Sequence, residues 1–418
     1  MNPVIGKSGQ SIYRLEDDRL LKGKGRFIDS INFKGQAYLH IVRSYSANAK
    51  INLRNPGEVK KMSGVLDVFT GNNLMQDRIL PIPVTLPFKR PGGGPALSEP
   101  YHALSQGTVR FVGQPLAIVV AESREQALQA AECLEVEYKE YPAVTGLLEA
   151  TEPEAPLLCS DLPDNIAASE TLGNQQEVEE IFSNAHHVTR MELINNRLVG
   201  SPLEPRGLIC DIDPDDGKLI LHASHQSATR LHGSLCSIFK FQPEQLRVKV
   251  GDVGGGFGTK VAIYPEDVLV VYAAKKLNLP IKWTATRTEE FQASVHGRDH
   301  MNVAELACDP EGRIQALSVK TLANTGAYLI NPALLIPLGL MGKVITSVYD
   351  IPTIYLETRC VLTNTAPIGA YRGAGRPEGI YPIERLIDMT AREMGIDPVF
   401  IRRRNLIRTE NLPYTTPA

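Results

Sequence analysis

The stretch Gly251-Asp252-Val253-Gly254-Gly255-Gly256-Phe257-Gly258-Thr259-Lys260 packs four glycines into five consecutive positions. Without Cβ atoms, such a backbone can take positive φ and lie directly against a ligand. Upstream, Gln245-Leu246-Arg247-Val248-Lys249-Val250 alternates polar and apolar as a strand does. Downstream, Pro265-Glu266-Asp267 opens an apolar-periodic run through Val268, Leu269, Tyr272 and Leu277, with proline and acids where a first helical turn favours them. The expected unit is strand, naked loop, short link and helix. Bare backbone N–H groups suit an anionic, phosphate-bearing ligand, although tight turns and close strand packing use glycine too; the loop alone leaves both readings open. Gly254-x-Gly256-x-Gly258 lacks the dinucleotide-binding spacing, and Gly258-Thr259-Lys260 reverses the Gly-Lys-Thr order of a P-loop. A different anionic cofactor is required.

A chain of 418 residues has room for about three domains. Its net charge of −3, with Lys and Arg scattered, gives no nucleic-acid footprint. The one basic run, Arg402-Arg403-Arg404, reads as a solvated helix face. The start of the chain, from Met1 to Gln10, is polar, and the apolar stretches at 116–121 and 334–341 are too short to span a bilayer. A cytoplasmic location with no membrane span is expected. Six cysteines (Cys133, Cys159, Cys210, Cys236, Cys308, Cys360) lie far apart with no C-x-x-C, so neither zinc nor an iron–sulfur cluster is encoded. His222 and His225 fall on opposite faces of an alternating segment, and His296 and His300 flank a loop-like Gly297-Arg298-Asp299. No metal held directly by protein side chains is expected.

Residues 1 to 20 read as polar and irregular. Strands are expected at 36–43 and 65–70, followed by a Pro- and Gly-rich loop at 81–100. The apolar run 116–121, a helix over 124–134 capped by Ser123 and Gln126, and a strand at 135–138 complete a small α/β unit. The resulting organisation is a first domain over 1–150, a linker over 151–165 and a second domain over 166–418. Within the second, 188–193 alternates, 208–212 and 218–225 form a hairpin, and Gln226 stands past its end before a helix over 229–239. Its amide either caps that helix or faces a ligand shared with the glycine loop. Strands follow at 281–284 and 314–321.

Ala370-Tyr371-Arg372-Gly373-Ala374-Gly375-Arg376-Pro377-Glu378 is a second glycine loop, now with two arginines. It feeds a helix with apolar positions Ile380, Ile383, Leu386, Ile387 and Met394, stopped at Gly395. Two such loops favour an anionic pocket; alternatively Arg372 or Arg376 simply pairs with Glu378 or Glu384.

Taken in order, the motifs resemble the molybdopterin-binding large subunit of the xanthine dehydrogenase, aldehyde oxidase and aerobic carbon monoxide dehydrogenase family. The matching stretches are Val112-Gly113-Gln114-Pro115, Pro202-Leu203-Glu204-Pro205-Arg206-Gly207, the Gln226 segment, 252–260, Tyr264-Pro265-Glu266, His296-Gly297-Arg298-Asp299, Thr363-Asn364-Thr365 and 370–378. They span nearly this whole chain but only the first half of the family's subunit. The resemblance implies an α/β (α+β) fold, a hammerhead domain followed by the first molybdopterin-binding domain. It also implies that Gln226 is the catalytic-site residue approaching the metal's ligands. Gly254, Gly255, Gly256, Phe257 and Gly258 would hold the pterin from one side and Arg372 from the other, with Tyr371, Gly373 and Ala374 toward the substrate.

The implied chemistry is hydroxylation of an electrophilic carbon of a small molecule by water. The molybdenum–molybdopterin cofactor would be in its cytosine dinucleotide form, and electrons would leave through Fe-S and FAD on partner subunits. The family's base glutamate belongs to the C-terminal half, so the implied partners are a separate chain carrying that half, a small 2Fe-2S subunit and an FAD subunit. The alternative is a non-catalytic truncated subunit or assembly partner without metal. Gly373 stands where carbon monoxide oxidisers carry a copper-binding cysteine, and Val261 and Ala374 stand where purine oxidisers place an acid and a phenylalanine. An aldehyde or another N-heterocycle is the expected substrate.

Overall fold

The computed structural model describes residues 9, 11–85 and 87–417. Most of the first ten residues lie outside that range. Of the start expected to be irregular, Asp17–Leu21 forms a short helix.

A seven-stranded sheet forms the centre, in the order Leu246–Lys249, Leu219–Ala223, Gly207–Ile212, Ile281–Thr284, Ala37–Arg43, Pro115–Ala121, Val65–Thr70. The strand Pro115–Ala121 is buried at every position, as expected of a continuous apolar run covered on both faces. The hairpin Gly207–Ile212 to Leu219–Ala223 is antiparallel, whereas Ala37–Arg43 pairs in parallel with Ile281–Thr284 from the far side of the sequence. Strands from the first 150 residues and from the second half therefore share one sheet. The stretch 151–165 is packed as well: Leu158, Cys159 and Leu162 are buried, and Asn165 accepts the Leu158 N–H and donates to Ala150 and Pro156 carbonyls. Asn364 sews the same regions together, accepting the Val144 N–H and donating to the carbonyls of Ala47 and Arg110.

A second sheet, ordered Ile166–Gly173, Thr353–Leu362, Ile314–Gly326, His300–Cys308, His187–Asn195, carries the helix Arg376–Glu393 on one face. Ile383, Leu386 and Ile387 of that helix pack on Ala304, Leu306, Leu317 and Ile354. This is the apolar stripe read from its 3.6-residue period. The Pro- and Gly-rich 81–100 segment folds over the body, with Ile82 and Ala96 buried and the Thr85 N–H donated to the Asn331 side chain.

Candidate functional site

The strand Leu219–Ala223 leads into the helix Ala228–Phe239, which crosses back so that Leu246–Lys249 lies parallel to the first strand. Both strands thus end at one edge of the sheet, the carboxyl edge at which open α/β sheets bind ligands. Gln226 follows the first strand and the glycine loop follows the second, so residues distant in sequence meet. The Gly258 N–H donates to Gln226 Oε1 at 2.8 Å, and the Gln226 N–H donates to the Lys260 carbonyl at 2.8 Å. The helix is capped by Ser227, not by Gln226.

The glycines are dictated by crowding. A Cβ on Gly256 would sit 2.6 Å from the Gln226 side chain, and one on Gly258, where φ is +93°, would sit 2.9 Å from the Ala370 carbonyl. The second contact brings the two glycine loops together through bare backbone. Phe257 adopts φ +50° and stays 42% exposed, a combination unfavourable for an aromatic residue unless the surroundings impose it.

Underneath the first loop lies a carboxylate that sequence reasoning missed. Glu204 Oε2 accepts the Gly254 N–H (2.7 Å), the Ser224 hydroxyl (2.6 Å) and the Lys260 ammonium (3.2 Å), while Oε1 accepts the Ile28 N–H (3.2 Å). Lys260 is 1% exposed and also donates to the Glu204 carbonyl and to Ser224 Oγ, so it anchors the loop and does not reach outward. Burial lowers its pKa, and Glu204 opposes that shift. The signal available in the sequence was a glutamate fixed between prolines, Pro202-Leu203-Glu204-Pro205. At the loop's foot, Arg19 donates to both Asp252 oxygens at 2.5 and 2.6 Å; that hydrogen bonding, with the Arg26 N–H, holds the carboxyl down to about 2.

In the second loop the expected alternatives separate. Glu378 is taken by Arg298 at 2.6 Å, and Glu384 by Arg402 at 2.9 Å. Arg376 donates to the Ala374 carbonyl. The Arg372 side chain is exposed and pairs with no carboxylate among the described residues. Tyr371 turns its ring to the Arg298 guanidinium, 5.2 Å from the ring centre, and packs over Gly297. Gly373, Ala374 and Gly375 all have positive φ.

Among the described residues, the N–H groups of Gly255, Gly256, Phe257, Arg372 and Gly373 and the Gln226 Nε2 meet no protein acceptor. Both nearby glutamates are already neutralised by cations. The surface that results offers donors and one guanidinium, which fits an anionic, acceptor-rich group such as molybdopterin and would repel a metal ion.

The loops are backed by a buried ion network. Arg206 pairs with Glu266 and Glu290, lies 3.9 Å from the Tyr264 ring centre, and shares Glu266 with Arg43. Burial would raise the Glu266 pKa, yet Arg206 and Arg43 hold it below the usual range. Burial pushes neighbouring Asp267 up to about 7, against the pull of the Tyr264 N–H it accepts. His296 and His300, each held near pKa 4 by burial, do not form a metal pair: His296 bonds the Phe291 carbonyl and Arg197, and His300 Nδ1 is buried without a partner. No cluster of His, Cys, Asp or Glu suited to a metal occurs among the described residues. No helix there is long and apolar enough to cross a membrane.

Fold and loops together define an α/β protein with a donor-rich, bare-backbone site suited to an anionic ligand. Residues 159–406 match the molybdopterin cofactor-binding domain, and residues 22–142 match the aldehyde oxidase and xanthine dehydrogenase a/b hammerhead domain. The chain belongs to the molybdopterin-binding large-subunit family of xanthine dehydrogenase, aldehyde oxidase and carbon monoxide dehydrogenase.

Its relatives include the 6-hydroxypseudooxynicotine dehydrogenase complex subunit gamma of Paenarthrobacter nicotinovorans, 31% identical over 97% of this chain and 50% of the relative. Another is the carbon monoxide dehydrogenase large chain of Hydrogenophaga pseudoflava, 33% identical over 96% of this chain and 50% of the relative. The crystal structure of quinoline 2-oxidoreductase from Pseudomonas putida 86 superposes with a TM-score of 0.89 at 32% identity, covering 97% of this chain and 51% of that one. The chain spans about half the length of the relatives it matches.

Proposed function

We propose that this chain is the N-terminal half of the catalytic subunit of a molybdenum hydroxylase that oxidises an aldehyde or N-heterocycle with water as oxygen source. The observation that carries this reading is the pairing of Gln226 with Gly258 at the meeting point of two donor-rich glycine loops. When bound, molybdopterin-held molybdenum supplies the two-electron oxidation chemistry. The chain's own contribution is to hold and orient that group. The free N–H groups of Gly255, Gly256 and Phe257 bind from one loop, with Gly254 and Gly258 shaping it. Gln226 Nε2 donates from the sheet edge, and Arg372 adds a cation from the second loop. Fixed donors of this kind need no reorganisation as charge shifts.

Tyr371, Gly373 and Ala374 form the substrate side of the second loop. Gly373 offers no thiol for copper, and relatives named for nicotine and quinoline support an N-heterocycle. In this reading residues 1–150 form the hammerhead domain, 151–165 the linker and 166–418 the first cofactor domain. The base glutamate belongs to the C-terminal half of the subunit. Electrons leave through a 2Fe-2S subunit and an FAD subunit in the cytoplasm, and the pterin carries a cytosine dinucleotide tail.

The test is purification from the native source under mild conditions, with molybdenum assay and mass spectrometry of co-purifying chains. Stoichiometric molybdenum together with the subunit's C-terminal half, on this chain or on another, supports the hydroxylase. A metal-free chain purified alone supports the alternative, a non-catalytic truncated subunit or assembly partner.

A further inference from the structure

The second glycine loop holds a conformation it could not keep unaided. Gly373, Ala374 and Gly375 take φ of +97°, +33° and +89° in succession, and Ala374 has a Cβ to accommodate. Such a run persists only where the surroundings over-determine it. Alongside packing of Gly375 against Leu340, Ile336 and Met341, those surroundings include a buried ion pair. Glu378 Oε2 accepts the Gly375 N–H at 2.7 Å, and its Oε1 accepts from Arg298 at 2.6 Å. The other arm of Arg298 donates to the Arg372 carbonyl at 2.6 Å, and the same guanidinium faces the Tyr371 ring. Arg298 is 7% exposed and Glu378 1%.

Arg298 is itself fixed. It and Asp299 take φ of +65° and +67° between two strands, and Asp299 is gripped by Arg197 at 2.7 Å and Asn324 at 2.9 Å. The first loop uses the same device: Glu204 accepts a glycine N–H and is neutralised by a buried cation, Lys260.

We infer that Glu378 and Arg298 are positioning residues of the second loop: the carboxylate fixes Arg298 and Gly375, and Arg298 holds the Arg372 carbonyl so that the Arg372 side chain leaves a fixed backbone. Neither residue need touch the ligand. The inference rests on reading Arg372 as a contact to the anionic cofactor. A planar guanidinium is required to serve both acceptors at once, whereas an ammonium can keep the charge pairing alone.

The experiment compares the full chain with Arg298→Met, Arg298→Lys and Glu378→Gln by hydrogen exchange and by pterin content after purification from a molybdenum-replete host. Arg298→Met and Glu378→Gln are expected to speed exchange across 373–376 at least tenfold, leave 383–391 within twofold of wild type, and retain less than a tenth of the pterin. Arg298→Lys, which keeps the charge pairing but loses the second arm, is expected to fall between wild type and Arg298→Met on both readouts. Wild-type exchange across 373–376 in Arg298→Met and Glu378→Gln overturns the inference. So does equal acceleration of 383–391, which marks a merely structural pair, or an Arg298→Lys as impaired as Arg298→Met. If wild type itself holds no pterin, the cofactor reading of Arg372 fails, and the exchange pattern alone decides whether the pair clamps the loop.

Discussion

Gln226 Oε1 accepts the Gly258 N–H at 2.8 Å. Because that N–H can only donate, the amide is turned one way, and its Nε2 becomes the group offered to a ligand. Gln226→Glu keeps the acceptor but removes the donor. Exchange of the Gly258 amide should stay near wild type while pterin retention falls at least tenfold; equal retention would show that Nε2 contributes nothing.

Gly256→Ala places a methyl 2.6 Å from the Gln226 side chain and must expel it. The expected outcome is fast exchange at Gly258 with pterin loss, and with thermal stability lowered by about 1 to 3 kcal/mol, the usual cost of overpacking. Peptide-resolved exchange and a melting curve check both parts.

Lys260→Met leaves Glu204, whose side chain is only 10% exposed, without its cation. Breaking a buried pair from one side costs on the order of 3 to 5 kcal/mol, so this variant should unfold at markedly lower denaturant. A Lys260→Met, Glu204→Leu double variant should recover part of the loss. That recovery would separate charge burial from loop packing.

Asp267, with its pKa pushed up to about 7, gives a pH signature. The unfolded chain releases this proton near the ordinary carboxyl pKa of about 4, whereas the folded chain keeps it until near 7. Folding stability from this group is therefore full at low pH and is lost as pH rises through that window. Asp267→Asn can still accept the Tyr264 N–H and does not titrate. Relative to wild type it should gain stability between pH 5 and pH 8, by more than about 1 kcal/mol, as measured by denaturant titration at each pH. A constant difference would refute the assignment.

Local patterns were legible where chemistry is local. Proline at 265 with its acids marked the start of Pro265–Leu277, and alternation marked Gly207–Ile212 and Leu219–Ala223. Ser123 caps its helix as expected, by accepting the Gln126 N–H. Glycine density picked out both loops, and the motifs suggested Gln226 and Arg372 through family likeness. What stayed hidden depends on partners far away in sequence. Glu204 looks like any loop acid until Lys260 and Gly254 close on it, and Arg298 lies 80 residues from Glu378. The strand Thr353–Leu362 was not read, because most of its positions are buried without a clean alternation and its register comes from Ile314–Gly326 beside it.

The parallel pairing of Ala37–Arg43 with Ile281–Thr284 has a practical consequence for anyone dividing this protein. A fragment ending near residue 150 would expose the main-chain donors and acceptors of Ala37–Arg43 along a raw sheet edge, the kind of surface on which chains stick to one another. The remainder would lose the neighbour of Ile281–Thr284 and the Arg43 that shares Glu266 with Arg206. The two stretches matched by separate family descriptions are cut from one piece of cloth, and preparations of either alone should precipitate where the joined chain stays in solution.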